Sequence, residues 1–234
     1  MDYLFGKYSK VMKLFAVLLI YVTSSIISKI VIAVLDIDIK TMSQTTEISI
    51  LLFRQTVVAI IIFFMYFKDL KKEFAIFKKN FMSCMDEGIK YWLLGLLIMA
   101  SSSLLINFFS SEKMSNNEAG VRKMLEKVPI QAIILTSILA PFIEELIFRK
   151  SFKDALKEKW LFILTSGIVF GSLHVLGSIT SLYNLLYLIP YSALGISFAY
   201  IYYKTDTIFT SISMHLIHNV ALSLMTIFAR GMIL

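Results

Sequence analysis

The chain has 234 residues, 58% of them hydrophobic, and a formal net charge of +7. A mean hydropathy of +0.77 excludes an ordinary soluble domain, because a fold of this length cannot hide so much apolar surface from water. Its lysines cluster between apolar segments, as they do in the cytoplasmic loops of membrane proteins, so no nucleic-acid partner is expected. Cys84 is the only cysteine, which excludes an intramolecular disulfide and argues against a cysteine metal site.

In chain order, Lys7, Lys10 and Lys13 precede an apolar run as they would in a signal peptide. That run is too long and lacks a small-residue cleavage site, so it reads as a retained first helix. With about 20 residues needed per crossing, spans are expected at roughly 13–35, 47–67, 91–111, 128–150, 160–177, 179–203 and 207–230. Lys29 interrupts the first and Arg54 the second; either could snorkel or face a neighbour. The Lys- and Phe-rich segment 68–90 reads as a helix lying on the inner membrane surface. Gly177–Ser178 is the natural turn between the fifth and sixth spans, and Pro190 is expected to kink the sixth.

Orientation follows from the basic residues. With the N-terminus in the cytoplasm, the inside segments hold 15 Lys and Arg and the outside segments six. The expected fold is therefore an all-α, polytopic transmembrane helix bundle of about seven spans in the plasma membrane, N-terminus inside. It reads as one integral membrane domain overall, with non-diagnostic N-terminal helices and the surface segment in 1–127 and a four-helix core in 128–234.

Glu144 and Glu145 directly follow sixteen uncharged residues, Val128 to Ile143. The apolar stripe Leu146, Phe148, Phe152, Leu156 carries that helix on to about Lys159. A turn there places Glu144 and His174, each fifteen residues away, about 22 Å from it and at one depth. In the last span, His215 and Asn219 are four apart and project from one face, with His218 on the flank. Ionisable groups are costly in hydrocarbon, so a shared polar site is the expected arrangement. Plainer roles suit other residues. Glu145 and Arg149 have ion-pair spacing, His218 reads as a packing residue, Gly167 and Gly171 as a close-packing pair, and Phe170 as a wall of the pocket.

These residues resemble a known family. The stretch "APFIEELIFRKSF" is similar to its EExxxR motif, "FGSLH" to its FxxxH motif and "HLIHN" to its HxxxN motif. Together they resemble the CAAX-protease and bacteriocin-processing (CPBP, or Abi) family of intramembrane proteases over about residues 128–225. Lys150 departs from the glycine that members often carry.

The resemblance implies an intramembrane endopeptidase. By its pattern Glu144 is the base that activates a water, His174 helps to hold that water, and His215 with Asn219 donates to the oxyanion. Glu145 and Arg149 brace the motif. A carboxylate kept from water is a stronger base, and donors aimed at a developing oxyanion are each worth about 100- to 1000-fold in rate. The metal-free glutamate route suits Asn219, since an amide donates well and binds zinc poorly. A zinc version would use Glu144, His174 and His215. The implied partners are the bilayer and a peptide or membrane-protein substrate. The small size and Lys-rich composition suggest a bacterial peptide, in maturation or bacteriocin immunity.

Three other readings compete. "GISF" sets Ser197 in a Gly-x-Ser-x context one helix before His215, as a serine protease would. A transporter would also bury Glu and His, and a non-proteolytic scaffold or immunity protein could share the fold. No HExxH sequence is present, so the usual zincin arrangement is not expected.

Overall fold

The computed structural model describes residues 2–109, 114–176, 179, 182–229 and 231, with no side-chain detail for 2–8 or 182. The expected turn at Gly177–Ser178, and the basic residues Lys113 and Arg230, lie outside the described residues.

Every regular element among the described residues is helical. Helices α1 (Asp2–Thr23) and α2 (Ser25–Val34) form the first span, broken where the Ser24 hydroxyl donates to the Tyr21 carbonyl at 2.7 Å. Ser43 caps α3 (Gln44–Lys79) by accepting from the Thr46 amide. Then come α4 (Phe81–Phe109) and a short amphipathic helix, α5 (Asn116–Lys127). Helix α6 runs over Pro129–Ala155, α7 over Lys159–Leu176, α8 over Leu188–Thr205 and α9 over Ile208–Ala229. Among the described residues, seven helical segments are long and apolar enough to cross a bilayer, and the protein is an integral, multi-pass, all-α membrane protein.

Three expectations need correction. Residues 68–90 are not an element of their own: α3 continues to Lys79, Asn80 breaks the helix, and α4 starts at Phe81. At 36 residues, α3 is about 54 Å long, well beyond the ~30 Å of hydrocarbon. Its Lys-rich end therefore stands clear of the apolar layer, as half of a hairpin with α4. Helix α6 stops at Ala155, short of Lys159, because Leu156 is extended and the chain needs residues 156–158 to reverse. Pro190 stands at the start of a helix, not inside one. It is the third residue of α8, after a 3-10 turn at Leu182–Tyr187, and in a first turn its missing N–H costs no hydrogen bond.

Helices α6 and α8 form the middle of the bundle: 44% and 56% of the residues in their most apolar windows are buried, against 11% for the first span and α4. Without a hydrophobic drive between helices in lipid, close backbone approach must supply the packing. Glycines supply it between α7 and α8. A Cβ on Gly167 would lie 2.6 Å from the Ile196 nitrogen, and one on Gly171 would lie 2.8 Å from the Ser192 nitrogen.

Helix α6 itself is irregular, with π turns at Ile134–Leu139 and Glu145–Lys150. Pro141 sits just after the first, where the wider turn accommodates a residue that cannot donate to the previous turn. Carbonyls in these turns find partners on other helices. Asn219 donates to the Thr136 oxygen at 2.8 Å, and the Ser166 hydroxyl donates to the Phe148 oxygen at 2.6 Å.

At the far end of α3, Glu73 joins four segments. Its carboxylate accepts from the Tyr202 hydroxyl at 2.9 Å and from the Ile208 amide at the start of α9 at 2.8 Å, and pairs with Lys150 at 3.1 Å. Lys150 also reaches Asp154 at 3.0 Å. The lysine that departs from the family pattern is thus the cation of an ion-pair cluster.

Candidate active site

The two π turns place Glu144 and Glu145 at the middle of the bundle, and the neighbouring helices sort the two carboxylates. Glu145 is fully buried. It accepts from the Ser211 hydroxyl at 2.5 Å, lies 2.9 Å from Nδ1 of His215, and is 3.4 Å from the Arg149 guanidinium. The expected ion pair with Arg149 is present, and it is one of three contacts. Arg149 in turn donates to the Gly195 carbonyl at 3.3 Å and lies 4.2 Å from the Phe170 ring and 5.7 Å from the Phe198 ring. A guanidinium held between two aromatic faces keeps its charge in a dry interior through the carboxylate and the π electrons together.

Glu144, one residue round the helix, points elsewhere. Its carboxylate lies 3.8 Å from Nε2 of His215. The His215 ring therefore stands between two carboxylates, Nδ1 toward Glu145 and Nε2 toward Glu144. Stacking on Phe198 (centroids 4.7 Å apart) and an edge contact with Phe170 (5.7 Å) fix the plane of that ring.

His174 approaches from α7. Its Nδ1 lies 2.9 Å from the Phe170 carbonyl, which can only accept, so Nδ1 carries the proton and Nε2 keeps a lone pair. The ring lies against Phe170 (4.3 Å) and stacks on Tyr191 (5.0 Å). Among the described residues no hydrogen bond or ion pair joins His174 to Glu144; Phe170 touches both His174 and His215 and sets the spacing of the two imidazoles. Asn219 spends one N–H on the Thr136 carbonyl, which orients the amide and leaves the other N–H.

Three residues of the constellation were not anticipated from the sequence. Ser211 lies four residues before His215 and so on its face, a signal that the helical period offered. Phe198 and Tyr191 come from α8 and had no local signal. His218 instead accepts from the Trp92 indole at 3.4 Å, as a packing residue would. Ser197 donates to the Tyr91 carbonyl on α4, so its hydroxyl is turned toward helix packing.

A zinc site would need three converging ligands. Among the described residues no three His, Cys, Asp or Glu side chains converge as the ligands of one metal ion would. Nδ1 of His215 is held by Glu145 and Nδ1 of His174 by the Phe170 carbonyl, which leaves Nε2 of both rings as the donor atom. Among the described residues, Glu144, His174 and His215 are not gathered on one point as a three-ligand site would need.

Comparison with known proteins agrees with the motifs. Residues 126–221 match the family model described as type II CAAX prenyl endopeptidase Rce1-like. A Bacillus subtilis (strain 168) protein named "Putative membrane peptidase YdiL" is 35% identical over 114 residues, which are 47% of this chain and 43% of that relative. The chain thus spans less than half the length of the curated relative it matches. No solved structure matches it. On these matches, with the three motifs in order on α6, α7 and α9, the segment 126–221 is similar to the CAAX-protease family.

Proposed function

We propose that the chain is an intramembrane endopeptidase that hydrolyses a peptide bond with a water activated by Glu144. The observation that supports this most is the pairing of Glu144 with His215 across two different spans, backed by the buried Glu145. Glu144 takes a proton from water as the oxygen attacks the scissile carbonyl carbon. His174, with its lone pair on Nε2, accepts a hydrogen bond from that water and aims it. The carbonyl oxygen becomes an oxyanion. It receives the free N–H of Asn219 and, when Nε2 of His215 is protonated, a second donor from that ring. Glu144 then returns the proton to the departing amine nitrogen as the carbon–nitrogen bond breaks.

Glu145 and Arg149 do not touch the reacting atoms in this scheme. Glu145 holds His215 by Nδ1, and Arg149 neutralises Glu145. No cofactor is required. The N-terminus lies in the cytoplasm, the membrane is the plasma membrane of a bacterium, and the substrate is a bacterial peptide or membrane-associated protein. Peptide maturation or bacteriocin immunity is the corresponding role.

The test is Glu144→Gln, which keeps size and hydrogen bonding but removes the base. Membrane peptides of cells carrying the wild-type chain and the variant are compared by mass spectrometry. Specific cleavage products are expected with the wild type and absent with the variant, at equal protein level. Identical peptide profiles, with both proteins folded in the membrane, would overturn the reading.

A further inference from the structure

Arg54 stands in the first third of α3 and takes no part in that chemistry. It lies seven residues beyond Glu47, the last charged residue before the apolar run, about 10 Å further along the helix. A guanidinium inside an apolar span is costly unless it has a partner. Nε of Arg54 and Oε1 of the next residue, Gln55, are both buried and have no hydrogen-bond partner. Arg54 has no carboxylate partner among the described residues. Two adjacent orphaned polar groups inside an apolar span require an explanation.

Their direction supplies one. Ile48, Leu51 and Leu52 of α3 pack with Val128 and Leu135, while Val58, Ala59 and Ile62 belong to the same cluster as Ile143 and Leu146. Gln55 is four residues from Leu51 and from Ala59, and Arg54 is four from Val58, so both fall on the face turned to α6. They sit between the two apolar patches, opposite the stretch that leads from Leu135 to Glu144. Asn219 donates to the Thr136 carbonyl on that same stretch of α6.

We infer that Arg54 and Gln55 form a subsite for the peptide main chain beside the scissile bond. The guanidinium donates to a substrate carbonyl, and Oε1 of Gln55 accepts from a substrate N–H. A peptide lying in the membrane has main-chain groups with no water to satisfy them, and a donor and an acceptor from adjacent residues match that need. This inference rests on the peptidase reading.

Binding to the inactive Glu144→Gln protein, full-length and in nanodiscs, tests it. The probes are two fluorescein-labelled peptides, one farnesylated with a CAAX end and one an apolar 20-residue segment. For whichever probe the Glu144→Gln protein holds, adding Arg54→Gln or Gln55→Leu is expected to weaken binding at least tenfold, with Arg54→Lys in between. In the otherwise wild-type chain, Arg54→Gln is expected to raise KM with kcat largely kept, and thermal unfolding shows whether each variant is folded. Folded variants that bind within twofold of the Glu144→Gln parent overturn the subsite and leave the peptidase reading standing. A parent that binds neither probe, together with a wild type that cleaves neither, overturns the peptidase reading and the subsite with it.

Discussion

Nδ1 of His215 lies 2.9 Å from Oε1 of Glu145, and both side chains are sealed from solvent. The second glutamate of the motif is thus a holder of the imidazole as well as the partner of Arg149. Glu145→Gln keeps the shape but leaves the Arg149 guanidinium uncompensated, and breaking one side of a buried pair costs about 3–5 kcal/mol. The variant is expected to unfold at a clearly lower temperature than Glu144→Gln and to lose at least tenfold in kcat. Adding Arg149→Met should restore stability without restoring activity, because the charge is relieved while His215 stays misheld. Thermal unfolding and peptide cleavage on the same preparations check both parts.

The contact between α7 and α8 leaves no room for a side chain at Gly167, where a Cβ would meet the backbone of Ile196. Backbone cannot rotate away, so Gly167→Ala must part the helices, at about 1–3 kcal/mol. Phe170 and His174 lie further along the same helix, so cleavage should fall with stability. Gly120→Ala is the control. Nothing lies within 4 Å of that position in α5, and the exchange should stabilise by up to about 1 kcal/mol with activity unchanged.

Ser197 donates its hydroxyl to a carbonyl of α4 and His218 accepts from Trp92. Neither has a place in the glutamate scheme. Ser197→Ala and His218→Leu are each expected to keep cleavage within about threefold of wild type, at a stability cost of about 1 kcal/mol. Loss of cleavage in folded Ser197→Ala would transfer the role of nucleophile to the serine.

Chelation separates the glutamate and zinc versions. Protein treated with a chelator, and shown by elemental analysis to be metal-free, is expected to cleave at its full rate. Loss of activity that returns on adding zinc would mean that substrate binding gathers ligands which the free protein keeps apart.

The spans and the three motifs were legible because each rests on a local pattern: apolar length for the helices, fixed spacing for the polar residues. The Lys- and Phe-rich segment around Asn80 was misassigned because a surface helix and the overhang of two long helices share one amphipathic pattern. Pro190 was misread because proline breaks a helix interior but suits a first turn, and hydropathy does not say where the turn begins. The spacing of Glu145 and Arg149 revealed their pair but not Ser211 or His215, which reach Glu145 only after α9 has packed. Phe198 and Tyr191 were beyond local reading, since only the close approach of α8 makes them neighbours of the two imidazoles. The π turns left a trace in Pro141 alone.

Glu73 has a consequence for dissecting the protein. The matched segment starts at residue 126, yet the carboxylate that receives the first amide of α9 belongs to α3, more than fifty residues upstream. A fragment made of residues 128–234 would begin its last helix with that amide unmet, and Lys150 would lose one of its two anions. Such a fragment is expected to aggregate when made alone and to be rescued by co-expressing residues 1–127 as a separate chain. The portion that carries no recognisable motif is then the clamp without which the recognisable portion cannot stand.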